Sequence, residues 1–342
     1  MKKIVCMILA ASLFLLCACT GNNKEYDKRE IITDPGSTEN TSLTGSPEIE
    51  ELTKHINFST VVDTENNFSG YPVDFGNMVI KGKEDPSALS GLSPLPTVDY
   101  NVTEKRSDIA MSDEKFSHSH GPASDGKPHH TVVDFQKNFD KFRAYTLDMK
   151  SEKKVLYLTF DCGYEYENLT ASVLDTLKEK KVPATFFCTL DHIKKETEII
   201  SRIIKEGHIV GNHSATHPSF AEISREQIIN ELEETENYLR ENYGYASKFF
   251  RFPAGEYTES ALDAVASMGY VSVFWSVAYN DWNVDKIQGK DYAAETVLSR
   301  LHNGAIILLH SVSRDNAAAL GEIIDKARGE GYEFCALTDL ES

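Results

Sequence analysis

Basic residues are scarce in this sequence of 342 residues, which has 35 lysines and arginines against 53 aspartates and glutamates, a formal net charge of −18. Proteins that bind nucleic acids through the phosphates need clustered positive charge. The charge balance therefore argues against nucleic acid as a partner. It says little about carbohydrate, because sugars are recognised by stacking and hydrogen bonding rather than by the protein's net field.

Cysteine is also scarce, with six residues in the chain and no paired Cys-x-x-Cys spacing of the kind that zinc fingers use. Two cysteines fall in the N-terminal apolar segment, and a third, Cys19, follows it directly. The remaining three are Cys162, Cys188 and Cys335. An odd number in a domain outside the cytoplasm argues against a fold that is built on disulfides.

Long apolar runs are missing except for Ile4–Leu16, which follows two lysines. This run is too short to span a bilayer in a mature protein and is typical of a secretory signal. Ala18 before Cys19 resembles a lipoprotein leader, which implies removal of residues 1–18, a diacylglyceryl group on Cys19 and an extracytoplasmic, membrane-anchored protein. An ordinary secretory peptide or an uncleaved anchor is the alternative. Residues 19–50 are polar and without periodicity, which predicts a flexible tether.

Residues 51–150 carry scattered prolines and aromatics and predict an irregular extension that packs on the following domain. Helical spacing is visible only around Val132–Tyr145. This region also holds four histidines, which we interpret as incidental residues of a surface segment rather than as a second metal site: His118, His120, His129 and His130.

From residue 151 to 342, short apolar runs alternate with amphipathic segments. This alternation predicts an α/β fold, a distorted (β/α) barrel with about seven parallel strands, and an open doubly wound sheet is the alternative. A glycine-rich dinucleotide fingerprint is absent after the first strand, where Asp161-Cys162-Gly163-Tyr164 stands instead. The clearest strands are predicted at 155–160, 184–189, 208–212, 249–251, 271–277 and 305–309, and the helices at 168–180, 196–206, 225–242, 260–268, 292–302 and 316–330.

Five chemically useful side chains stand at or just beyond the ends of these apolar runs: Asp161, His213, Arg251, Asp281 and His310. In a barrel of alternating strands and helices, the loops at the carboxyl ends of the strands carry the active site. We therefore expect these side chains to converge on one mouth, which makes an enzyme the leading interpretation.

A metal site is indicated by His213 and His217, two imidazoles four residues apart at the end of a strand. Both can face one ion if the turn after the strand is helical. The pattern is weak alone, because two histidines at this spacing also arise by chance on a solvated turn. Its position level with Asp161 strengthens it.

Residues 150–340 resemble the polysaccharide deacetylases of carbohydrate esterase family four. The resemblance is carried by five motifs in order: Thr159–Gly163, His213–His217, Arg251–Gly255, Asp281–Trp282 and Leu308–His310. Two longer stretches, 274–279 and 310–317, look most like the branch that de-N-acetylates muramic acid during formation of muramic δ-lactam in spore cortex peptidoglycan.

The resemblance implies hydrolysis of an N-acetyl amide, assisted by a divalent metal ion at His213 and His217. Asp161 would be the general base, oriented by Arg251, and His310 would protonate the departing amine, with Asp281 favouring its charged form. A backbone N–H near Tyr164 would stabilise the oxyanion, and Trp282 would wall the acetyl pocket. Pro253 and Leu308 complete that pocket. The implied partner is peptidoglycan glycan strands whose stem peptides an amidase has already removed.

Cys162 departs from the family pattern, because most members have a metal-binding aspartate at this position. A thiolate ligand beside His213 and His217 would favour zinc. Cys162 could instead bind nothing and leave a weak two-histidine site, or form a disulfide with Cys188. We prefer the weak or thiolate site to the disulfide.

Two other functions stay open. The substrate could be N-acetylglucosamine in peptidoglycan or in a chitin-like polymer, or the chain could be a catalytically impaired lipoprotein that binds glycan. Retention of Asp161, Arg251, Asp281 and His310 favours an active enzyme, because a binding protein has no need for both a base and an acid.

Overall fold

The computed structural model describes residues 97, 98, 100, 105 and 110–341. Residues 1–96 lie outside the described residues. They include the predicted leader, Cys19, the tether and the first part of the extension. The predictions for those segments therefore stay predictions.

The described strands form an eight-stranded sheet and a separate pair. Their bounds are β1 Phe116–Ser117, β2 Ala144–Tyr145, β3 Val155–Cys162, β4 Thr185–Cys188, β5 Ile209–Asn212, β6 Phe249–Phe250, β7 Glu256–Tyr257, β8 Val271–Val273, β9 Ala305–His310 and β10 Glu333–Cys335.

The eight-stranded sheet is parallel throughout and curls into a distorted barrel. Along its wall, β3, β4, β5, β6 and β8 follow one another, and β9 pairs with the other side of β3. A parallel bridge between Val277 and Ile307 joins the chain after β8 to β9 and closes the wall. The predicted (β/α) barrel is confirmed, with short β2 and β10 bringing the parallel strands to eight.

Eight helices lie in the described part of the chain: α1 His130–Phe139, α2 Leu169–Lys180, α3 Leu190–Lys195, α4 Thr197–Lys205, α5 Arg225–Tyr243, α6 Glu259–Ser267, α7 Lys290–Leu298 and α8 Arg314–Gly329. The predicted helices α2 and α4 to α8 are found close to their predicted bounds, since each has an apolar face and three of the six begin at a capping side chain. Ser224, for example, caps α5 and forms a capping box with Gln227. α3 was not predicted, because its six residues are too few for an apolar period.

The described end of the N-terminal extension packs on the barrel. Phe139 and Phe142 are buried in one apolar cluster with Phe250 and Phe274 of the barrel. The Gln136 side chain accepts a hydrogen bond from Thr146 N at 2.7 Å and donates one to Ala144 O at 3.0 Å, which ties α1 to β2.

The interpretation of the four N-terminal histidines as surface residues is wrong for His118. Its ring is buried among aromatic rings, 5.0 Å from Phe274 and 4.9 Å from Trp275 between centroids. His120 accepts a hydrogen bond from the indole N–H of Trp275 at 3.1 Å. Both histidines therefore hold the extension against the barrel.

Among the described helices, none combines the length and the apolar character that crossing a membrane requires.

Candidate active site

Asp161 and the fully buried Arg251 form an ion pair at the mouth of the barrel, with 11% of the Asp161 side chain exposed. Asp161 lies near the carboxyl end of β3, and Arg251 directly follows β6. Arg251 Nη1 donates to Asp161 Oδ1 at 2.8 Å. Burial raises the pKa of Asp161, but the guanidinium of Arg251, helped by His213 and His310, outweighs burial and brings the pKa below its ordinary value. The carboxylate is therefore held in its ionised form.

The Arg251 guanidinium is fixed on every side. It is fully buried, and its Nε and Nη2 donate to the carbonyl oxygens of Val273 at 2.8 Å and Phe274 at 3.1 Å. Its carbon lies 4.2 Å from the ring centroid of Phe187. These contacts leave the arginine one geometry, so it sets the orientation of the Asp161 carboxylate.

His310 and Asp281 form the second pair at the mouth. His310 ends β9 and is the register partner of Asp161 across the β3–β9 pairing, so the two functional pairs are neighbours. His310 Nδ1 lies 2.7 Å from Asp281 Oδ1, and the His310 backbone N–H donates to Asp281 Oδ2 at 2.8 Å. Burial lowers the pKa of His310, but the hydrogen bond and the charge of Asp281 outweigh it, and the net pKa is raised.

Two residues that the sequence did not single out hold Asp281 in place. Asn316 Nδ2 donates a short hydrogen bond to Asp281 Oδ2, and Tyr279 OH donates to Asn316 Oδ1 at 2.5 Å. Asn316 is 35 residues from Asp281 in the chain. A local sequence pattern cannot predict a contact over this separation.

The loop after β5 brings His213 and His217 together, with ring centroids 4.9 Å apart. The expectation that a helical turn after β5 brings these two rings together was wrong. Asn212 Oδ1 instead accepts from Ser214 N at 2.9 Å, and Ser214 and His217 have left-handed backbones, with φ of 70° and 59°. An asparagine-led turn with two left-handed residues gives the same convergence.

The ring of His213 presents one nitrogen with a free lone pair on the side of Asp161. His213 Nδ1 donates to Arg251 O at 2.9 Å, which leaves Nε2 with its lone pair 3.6 Å from Asp161 Oδ2. Burial lowers the pKa of His213 to about 4, so its ring is neutral and free to ligate.

Cys162 lies apart from that pair. Successive side chains of a strand point to opposite faces, so Cys162 faces away from the side to which Asp161 points. Its sulfur lies 3.2 Å from Ser311 Oγ and forms a group with Cys188 and His192, whose donor atoms all lie within 4.8 Å of one another. Cys162 and Cys188 are register partners on β3 and β4, and both are free thiols.

Two of the residues predicted to line the pocket are exposed, and two are buried. Tyr164 and Trp282 are 50% and 57% exposed, an unusual degree for large aromatic side chains. Pro253 and Leu308 are buried. Pro253 opens a short 3-10 turn after Arg251, and Leu308 lies in β9 two residues before His310.

A family model and curated relatives both match this chain. The family model described as polysaccharide deacetylase matches residues 148–273. Peptidoglycan-N-acetylmuramic acid deacetylase PdaA of Bacillus subtilis is 38% identical over 227 residues, which cover 66% of this chain and 83% of PdaA. A peptidoglycan-N-acetylglucosamine deacetylase of Bacillus cereus is 34% identical over 201 residues, covering 58% of this chain and 72% of that protein.

Among solved structures, that of Bacillus subtilis PdaA, a family 4 carbohydrate esterase, superposes with a TM-score of 0.64 and 36% identity. The match covers 67% of this chain and 98% of the PdaA chain. The chain therefore belongs to the polysaccharide deacetylase family and is a hydrolase that acts on an amide carbon–nitrogen bond.

Proposed function

We propose that this protein removes the acetyl group from N-acetylmuramic acid in peptidoglycan strands that lack stem peptides. The observation that supports it most is the placement of two paired groups, Arg251–Asp161 and Asp281–His310, on register partners of adjacent strands. One pair favours an ionised carboxylate and the other a charged imidazole. The likeness to PdaA favours muramic acid as the sugar.

In the proposed reaction, Asp161 accepts a proton from the water that attacks the acetyl carbonyl. The amide carbon–nitrogen bond then breaks, and His310 donates its proton to the departing amine. The products are acetic acid, which ionises to acetate, and a free amine on the sugar. The proton that Asp161 took up returns to His310 through solvent, so atoms and charge balance over the cycle. Arg251 and Asp281 act through the two side chains that they orient.

We propose His213 and His217 as the residues that hold the metal ion on which this family depends, next to the Asp161 carboxylate that acts as the base. When bound, a divalent cation supplies Lewis acidity for the attack of water on the carbonyl. Without a thiolate ligand, two imidazoles do not select one divalent ion over the others. The identity of the ion is part of what a metal titration would measure.

We propose that the exposed rings of Tyr164 and Trp282 contact the glycan strand, and that Trp282 with buried Pro253 and Leu308 shapes the acetyl pocket. Aromatic side chains left in water at the rim of a site are available to stack on sugar rings. The backbone N–H near Tyr164 is the proposed donor to the oxyanion of the tetrahedral intermediate.

The product explains why stem peptides matter. A free amine on muramic acid can condense with the lactyl carboxyl of the same sugar to form a δ-lactam, with loss of water. That carboxyl is available only after an amidase has removed the stem peptide. We therefore propose a role after an amidase in making the muramic δ-lactam of spore cortex.

N-acetylglucosamine is the second candidate substrate, since the Bacillus cereus relative carries that specificity in its name. The two sugars differ at the 3-position, where muramic acid carries its lactyl ether. Loops around the mouth determine which one fits.

We propose that residues 1–18 are a leader and that a lipid on Cys19 anchors the enzyme outside the cytoplasm. Peptidoglycan lies outside the membrane, which supports this location. Wild-type protein should partition into detergent and yield a diacylated N-terminal peptide by mass spectrometry, whereas Cys19→Ala should not. Partition of both proteins into the aqueous phase would contradict the anchor.

Acetate release tests the proposed function. Strands stripped of stem peptides should release acetate, intact strands should not, and Asp161→Asn provides the blank. Equal release from intact strands would contradict an amidase-first order. Release at the level of the Asp161→Asn blank, with each candidate metal supplied, would favour the glycan-binding alternative.

A further inference from the structure

A second cluster of ligand-type side chains lies behind the mouth. Cys162 and Cys188 end the adjacent strands β3 and β4, and His192 lies on α3, four residues after Cys188. Their exposed fractions are 0%, 0% and 1%. Within the described part of the chain, they form the group of three whose donor atoms all lie within 4.8 Å of one another.

His192 is the observation that points to a ligand. Neither of its ring nitrogens has a hydrogen-bond partner, although both are buried. A buried polar group that finds no hydrogen-bond partner destabilises the fold, and native structures contain few of them. An ion held between the ring and the two sulfurs would satisfy it.

We propose that Cys162, Cys188 and His192 bind a zinc ion at a site separate from His213 and His217. In tetrahedral zinc sites, Zn–S bonds of about 2.3 Å place two sulfurs about 3.8 Å apart. The side chains are therefore close to binding distance and need only small rotations. Two thiolates and a neutral imidazole carry a charge of −2, which Zn²⁺ neutralises, so the complex suits a fully buried position.

The surroundings support the first ligand. The Ser311 hydroxyl, fully buried and 3.2 Å from the Cys162 sulfur, can donate a hydrogen bond to a thiolate there. The cluster joins β3, β4 and α3 directly behind Asp161. The zinc would act as a cross-link that fixes the end of the strand carrying the catalytic carboxylate.

Cobalt substitution tests the site without reference to hydrolysis. The full chain, reduced and freed of metal, is titrated with Co²⁺ alone, and thiolate-to-cobalt charge transfer is recorded in the near ultraviolet. In wild-type protein, the charge-transfer band should grow until one sulfur-ligated cobalt ion is bound per chain. The pair His213 and His217 lacks sulfur and cannot produce it.

Matched variants assign the ligands. Cys162→Ser and Cys188→Ser should abolish the band, whereas Cys335→Ser, which changes the third free cysteine of the described chain, should keep it. His192→Gln should weaken cobalt binding at least tenfold. His208→Gln is its control, since His208 is also buried with both ring nitrogens unpartnered.

Two outcomes would overturn the proposal, and neither depends on a variant that folds. One is the absence of a charge-transfer band from reduced wild-type protein. The other is a Cys162–Cys188 disulfide in the protein as purified without reductant, found by mass spectrometry of its peptides.

Discussion

Arg251 is the side chain on which the geometry of the mouth depends most directly. Its guanidinium donates to one carboxylate and two backbone carbonyls at once, which a lysine ammonium cannot reproduce from the same position. Arg251→Lys should therefore lower kcat about 100-fold or more, because Asp161 loses its fixed orientation.

The control for Arg251→Lys is Arg240→Lys. Arg240 is also buried and pairs with Glu236 at 2.7 Å, but it lies on α5. This variant should lose stability and keep kcat. Equal loss of kcat in both variants would show that Arg251 acts only through stability.

The pH dependence of activity should reflect the two opposite pKa shifts. As the proposed base, Asp161 must be ionised, and its lowered pKa places the acid limb of the kcat/KM profile below the ordinary aspartate value of 3.8. As the proposed acid, His310 must be protonated, and its raised pKa places the basic limb above the ordinary histidine value of 6.5. The profile should therefore be broad.

Asp281→Asn should narrow that profile from the basic side. It removes the negative charge that raises the pKa of His310, so the basic limb should move to lower pH while the acid limb stays. Asp263→Asn, which changes a buried aspartate paired with Arg225, should leave both limbs in place. A basic limb unchanged in Asp281→Asn would show that His310 is not the acid.

At the scale of elements, α1 is tied to β2 by the Gln136 side chain. Gln136→Leu would leave the buried Thr146 N–H and Ala144 carbonyl without these partners. The free energy of unfolding should fall by about 1–3 kcal/mol. Denaturant unfolding measures this loss, and Lys137→Ala, on the exposed face of α1, should change stability by under about 0.5 kcal/mol.

The turn after Arg251 requires glycine at residue 255. Gly255 has a φ of +67°, and a Cβ there would lie 2.8 Å from the Trp275 ring. Gly255→Ala should therefore destabilise the protein by more than the roughly 1–2 kcal/mol that a left-handed backbone costs an alanine.

Gly126→Ala is the control that separates the backbone strain of Gly255→Ala from its steric contact with Trp275. Gly126 has the same φ of +67°, but a Cβ there meets nothing within 4 Å. The difference between the two variants measures the contact with Trp275. Equal losses of unfolding free energy in the two variants would show that the Trp275 ring moves away from the added Cβ without an energetic cost.

The regular elements of the barrel could be predicted because each is a local pattern. The run Val155–Cys162 is continuous and buried, and α5 is capped and amphipathic. β10 and α3 were missed because three and six residues carry too little periodicity. The Asn316–Asp281 contact is non-local. Strand alternation gives the direction of the Cys162 side chain only after Asp161 is known to point into the mouth of the barrel.

At the scale of the whole molecule, the described extension is part of the domain's core rather than an attached arm. Phe139 and Phe142 share an apolar cluster with barrel residues, and His118 lies among the same rings. The sequence predicts that the extension packs on the barrel, but it does not indicate these contacts, because the described part of the extension has one short α-helix and few apolar repeats. The packing of residues 51–96 on the barrel stays a prediction.

The choice of sugar tests the central claim most directly. Glycan strands without stem peptides are treated with the wild-type enzyme, cut into disaccharides and sequenced by tandem mass spectrometry, with Asp161→Asn as the blank. The account predicts that one acetyl group is lost, and that it is lost from muramic acid. Loss from glucosamine instead would contradict it.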